Sequence, residues 1–151
     1  MTELDADSLW LDTARYRLAP GMRAFGVLVH SAVSGPSCPD AGFEDELTLL
    51  APDGDKLRPV FDSYLHLWHS LQEGQCPPAR SESAELTLDI GPGTSHGYAD
   101  LVVTAKVEAD RSHAGGSDNQ SSFRTVRQTV HYDGRSYPLD SIPKFWQAHP
   151  Q

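Results

Sequence analysis

Four side chains between positions 62 and 73 have the types and the spacing to do chemistry. Asp62, His66, His69 and Glu73 follow one another at steps of four, three and four. On a helix, at about 100° per residue, they fall within roughly a 60° arc. Two imidazoles a turn apart, with a carboxylate on either side, could share a divalent cation. They could equally offer a mixed acidic and basic face to another protein. A metal centre normally draws a ligand from a second element, and nothing in the spacing singles out His30 or His96 for that part. No metal and no cofactor is therefore assigned. Asp62, His66, His69 and Glu73 are read as a partner-binding face, against the blander reading of an amphipathic helix showing its polar side to water.

Other groupings carry less. Gly91-Pro92-Gly93-Thr94-Ser95-His96-Gly97 has the glycines of a phosphate cradle but no Lys before a Ser or Thr, and a strand pattern follows it. A phosphate site needs a helix N-terminus there, so this is a hairpin loop. Seven histidines among many aspartates and serines permit a catalytic triad on paper, yet no GxSxG elbow, HExxH or dinucleotide fingerprint occurs. No catalytic residue is assigned. Arg124 and Arg127 fall on opposite faces of their strand, while Phe123, Thr125, Arg127, Thr129 and His131 share one.

The element that must position the first four residues is a helix over Lys56 to Glu73. Leu57, Val60, Phe61, Tyr64, Leu65, Leu67, Trp68 and Leu71 recur at steps of three and four. Pro59 suits the first turn, and Gly74 closes the far end. Trp68 is predicted to be largely buried. A shorter helix is expected over Asp5 to Leu18, acidic at its start and carrying Arg15 and Arg17 near its end. Phe25–Val33 and Glu46–Leu50 read as strands, as do 84–90, 101–108 and Phe123–Tyr132. Asp133-Gly134 signals a hairpin into Arg135–Leu139, and Ile142–Trp146 a last helical turn. Residues 110–122 form a polar tip with almost nothing to bury, expected to be mobile. The fold class predicted is α+β: a single domain over residues 1–151, with a curved antiparallel sheet of about five or six strands packed on one main helix.

Bulk properties bound the function. Twelve Lys and Arg stand against 21 Asp and Glu, for a net charge of -9. That balance disfavours nucleic acid and anionic membrane surfaces, and it attracts a basic protein. The acidic N-terminus lacks the pattern of a signal peptide, which predicts a cytoplasmic protein. Reduced thiols are then expected at Cys38 and Cys76, although a bond between them would contribute about 3–4 kcal/mol on the loop-entropy model. The expected function is non-enzymatic: an acidic binding protein, of inhibitor, immunity or chaperone type, for a more basic protein. The alternative is a small-molecule-binding or catalytic domain with a pocket between helix and sheet, its polar groups drawn from His30, His66 or His69.

Overall fold

The computed structural model describes residues 6–31, 37–112 and 119–148. They form one seven-stranded antiparallel sheet: β1 (Leu9–Ala19), β2 (Met22–Val29), β3 (Ala41–Asp53), β4 (Lys56–Ser70), β5 (Arg80–Ser95), β6 (Tyr98–Arg111) and β7 (Gln120–Val130). The strands lie side by side in chain order. The sheet curls far enough for β1 to touch β5 and β6, giving a half-barrel around one core. A single 3-10 turn, Ala6–Ser8, is the only helical element among the described residues.

The α+β expectation is thus corrected to an all-β fold, and the cause lies in two β-bulges. Leu49 pairs with Phe61 but Leu50 pairs with Pro59, so β4 carries one extra residue at Val60. The bulge sends both Val60 and Phe61 into the core. One added residue turns steps of two into steps of three, which imitates a helical period. Pro59, which has no N–H to give a ladder, sits beside the irregularity, where a strand tolerates it. The expected N-terminal helix is likewise β1, whose register with β2 shifts between Asp12 and Tyr16.

Along most of β3, β5 and β6 the alternation holds, and these strands extend beyond the limits expected of them, while β2 and β7 start earlier than expected and end at Val29 and Val130. Leu47, Leu49 and Ala51 on β3, Ala84 and Leu86 on β5, and Leu101, Val103, Ala105 and Val107 on β6 are buried on the concave side. The Gly91–Gly97 loop shrinks to His96-Gly97, both with positive φ, the backbone a tight two-residue hairpin requires. Of the loop expected over 110–122, residues 110–111 belong to β6 and 120–122 to β7. Residues 113–118 lie outside the described set, as do Ala32 and Val33.

After β7 the chain forms neither the expected strand over 135–139 nor the helical turn over 142–146. It threads a gap in the sheet instead. β4 and β5 pair only where His66–Ser70 meet Ser81–Glu85. Beyond that stretch, Tyr137 N–H donates to the Val60 carbonyl at 2.7 Å and Tyr64 N–H donates to the Ser141 carbonyl at 2.9 Å. The Tyr137 hydroxyl donates to the Ala99 carbonyl at 2.6 Å, and Tyr132 stacks on Tyr98. Trp146 completes the core, with burial that contributes on the order of 3 kcal/mol. Cys38 and Cys76 form a disulfide, so the expectation of reduced thiols is also corrected.

Candidate functional site

A strand sends successive side chains to opposite faces, so the four residues of the acidic-histidine face are divided. Asp62 and His66 share the convex face of β4, while His69 turns to the core and Glu73 lies in the turn beyond. His69 and Glu73 border a separate hollow of about 410 Å³ with Arg80 and Lys144.

The convex face holds a better-defined surface. Register places Gly42, Trp68, Ser83, Glu108 and Phe123 in one row across five strands. Glu44, His66, Glu85, Lys106 and Thr125 make the adjacent row. Between them lies an open groove of about 450 Å³, lined also by Phe43. Trp68 and Phe123 stand three strand spacings apart, about 14 Å at roughly 4.8 Å each. Phe123 is 75% exposed, an unusual place for a phenyl ring. Gly42 allows the other anchor: a Cβ there would sit 2.1 Å from the Trp68 indole nitrogen. Between the anchors the floor is small at Ser83 and acidic at Glu85 and Glu108.

Carboxylates gather beside Tyr64 on this face. Burial pushes the Tyr64 phenol up, and the carboxylates of Glu46 and Asp62 push it further. At one rim, Asp45 is gripped by two imidazoles. His30 Nδ1 meets one carboxylate oxygen and His66 Nδ1 the other, the latter at 2.8 Å. Asp45 has a left-handed backbone, φ 58°, which asparagine and aspartate tolerate best. That twist carries its side chain away from the concave row of Leu47 and Leu49. This trio was hidden in the sequence because Asp45 departs from alternation.

Two further polar clusters belong to the framework. Buried Glu82 accepts from Arg124 at 2.8 Å, His69 at 3.0 Å and the Ala148 amide at 3.3 Å. Burial pushes its carboxyl up, but these partners outweigh burial and hold it below the usual carboxylate range. The role of His69 is set here, edge-on to Trp146. Ser95, Asp100 and His131 also meet. The Ser95 hydroxyl donates to Asp100 at 2.7 Å, and both contact the same imidazole nitrogen, Nδ1 of His131. A nucleophilic relay needs Ser and Asp on opposite ring nitrogens, so this arrangement does not activate the hydroxyl. The Ser95 hydrogen bond, with help from His131, lowers the Asp100 carboxyl.

Among the described residues no group of three His, Cys, Asp or Glu converges on a cation-sized site. No helix among them is long and apolar enough to cross a membrane. The pocket expected between helix and sheet has no helix among the described residues to form it, and Tyr137 and Trp146 occupy the concave side instead. Compared with models of known protein families, with curated proteins and with solved structures, the chain matches none.

Proposed function

We propose that this chain is a binding protein that captures a basic, extended segment of another protein in the convex groove. The observation that carries this reading is the pair of cross-strand rows, with Trp68 and Phe123 as anchors and Glu44, Glu85 and Glu108 around them. An extended peptide advances about 3.3 Å per residue, so apolar side chains four positions apart match the 14 Å between anchors. Lysine or arginine between them would meet the glutamates. Lys106, paired with Glu85 across the strands, leaves the row acidic overall. Asp62 and His66 belong to this face, whereas His69 is committed to the core and takes no part in capture. The Cys38–Cys76 bond favours an oxidising compartment over the expected cytoplasm, since cytosolic thiols are kept reduced.

Synthetic peptides with two leucines four apart and lysine or glutamate between them test the reading by isothermal titration. Binding of the lysine peptide that weakens as salt rises, and is lost in Phe123→Ser, is the expected result. Equal binding of both peptides, or of neither, overturns it.

A further inference from the structure

We propose that the β1–β2 hairpin carries an anion-binding site, an open hollow that takes a small phosphate-bearing molecule between Arg15, Arg17 and Arg23. Tyr16, Leu18 and Ala24 are buried, so alternation sends these three arginines to the convex side. With Gly21 and Met22 they line a hollow of about 440 Å³, and no carboxylate lines it among the described residues. It shares no lining residue with the acidic groove.

Guanidinium groups gathered in this way repel one another unless something negative lies between them. Arg17 and Arg23 are direct cross-strand partners, with Cβ atoms about 5 Å apart, a spacing at which like charges destabilise a sheet. A chain of net charge -9 has carboxylates in plenty, yet among the described residues the ion-paired arginines are Arg58 and Arg124, and none of these three. Asp12, the nearest acid on β1, lies against Gly26 on the buried side. There it accepts from the Ala14 amide at 2.9 Å and the Tyr16 hydroxyl at 2.5 Å. Arg23 sits over the Phe25 ring, 5.5 Å from its centroid, which fixes one donor in advance.

Chemistry and size choose the ligand. A guanidinium presents paired N–H donors that match phosphate oxygens, and three positive charges suit a group with two or more negative ones. The volume falls within the range of small-molecule sites, about 300–1,000 Å³, enough for a phosphate and the moiety that carries it. A nucleic-acid backbone or an anionic membrane would reach further, to Asp53 and Asp55 at the β3–β4 turn, which lies at the same end of the sheet. In physiological salt a charge is felt over about 8 Å. A small anion therefore meets the arginines alone, and an extended one meets the acids as well.

Isothermal titration of the full chain with sodium pyrophosphate, in about 0.15 M salt where only close charges count, tests this. The wild type should bind pyrophosphate at a single site, and its melting midpoint should rise with pyrophosphate by linkage. Arg17→Gln and Arg23→Gln should each weaken binding about tenfold or more, the loss of one charge-assisted hydrogen bond. Relief of the opposed charges should leave their melting midpoints without ligand no lower than that of wild type. Should either variant fail to fold, Arg15→Gln, outside the opposed pair, should show the same loss. A wild type that binds no pyrophosphate overturns the proposal. So does binding that survives the combined Arg17→Gln, Arg23→Gln change, since the anion would then lie elsewhere. Tighter binding to duplex DNA, or to vesicles containing phosphatidic acid, than to pyrophosphate also overturns it, because the ligand would then be an extended one. Phe123→Ser should bind pyrophosphate as the wild type does, which separates this hollow from the convex groove.

Discussion

Glu82 on β5 and Arg124 on β7 are bonded at 2.8 Å across the strand between them. The guanidinium passes over β6, and its other nitrogen donates to the Trp146 carbonyl at 2.6 Å. One arginine thus ties two strands and the C-terminal segment together. Removing one partner of a buried pair typically costs about 3–5 kcal/mol. The Arg124 side chain is 35% exposed, so solvent screening lowers the expectation for Arg124→Ala to about 2–3 kcal/mol. Urea unfolding measures it. A loss below half a kcal/mol would mean that Glu82 finds other partners.

Acid should unfold the protein through the same group. The Glu82, Asp100 and Asp133 carboxyls are held below their ordinary values: Glu82 as above, Asp100 by Ser95 and His131, and Asp133 by the amides of Ser136 and Arg135. A folded-state value below the unfolded one gives stability that is complete above the unfolded pKa, about 4, and lost as pH falls through the folded value. The urea midpoint should be level from pH 7 to about pH 5 and then decline. Glu82→Gln should be weaker at neutral pH and lose less on acidification.

The tryptophan that anchors the core is Trp146. Trp146→Ala should cost about 3–5 kcal/mol. Its indole nitrogen has no hydrogen-bond partner among the described residues, so Trp146→Phe gives up no bond and should cost far less. Trp68→Ala, on the convex face, should cost less than Trp146→Ala. Thermal melts of the three variants rank them, and Trp68→Ala as the most damaging would reverse the assignment of faces.

The Cys38–Cys76 bond spans a sequence separation of 38 and links the segment before β3 to the turn after β4. On the loop-entropy model it contributes about 4 kcal/mol. The Cys38→Ser, Cys76→Ser double variant should fold with a correspondingly lower urea midpoint. Dithiothreitol should destabilise the wild type and leave the double variant unmoved.

The sequence was legible wherever a strand alternated without interruption. Leu86 and Leu88 on β5, and Leu101 to Val107 on β6, announce both the element and its buried face. It misled at Val60, where the bulge made a strand look helical, and before Tyr16, where a register shift hid the alternation of β1. The aromatic and β-branched content of β4, with Val60, Phe61, Tyr64 and Trp68, was the signal that could have decided for strand. The candidate site was less legible. Phe123, Glu85 and Glu108 stand far apart in the chain, and only strand register brings them beside His66. Asp62 and His66 do share one face of β4, but all four residues were grouped by a helical spacing that does not exist.

The segment threaded between β4 and β5 has a consequence for how the molecule is made. During synthesis all seven strands emerge before Trp146 does, and until then the concave side lacks its filling and the gap beside Val60 stays open. Hairpins between neighbouring strands close early, because their contacts are local, but the last step joins residues about eighty positions apart, from Val60 to Tyr137 and Tyr64 to Ser141. A nascent chain at that stage exposes both its interior and its unpaired β1 edge, the combination that most invites aggregation. A cell producing this protein has reason to shelter it on a chaperone until Tyr137 to Trp146 have been tucked in.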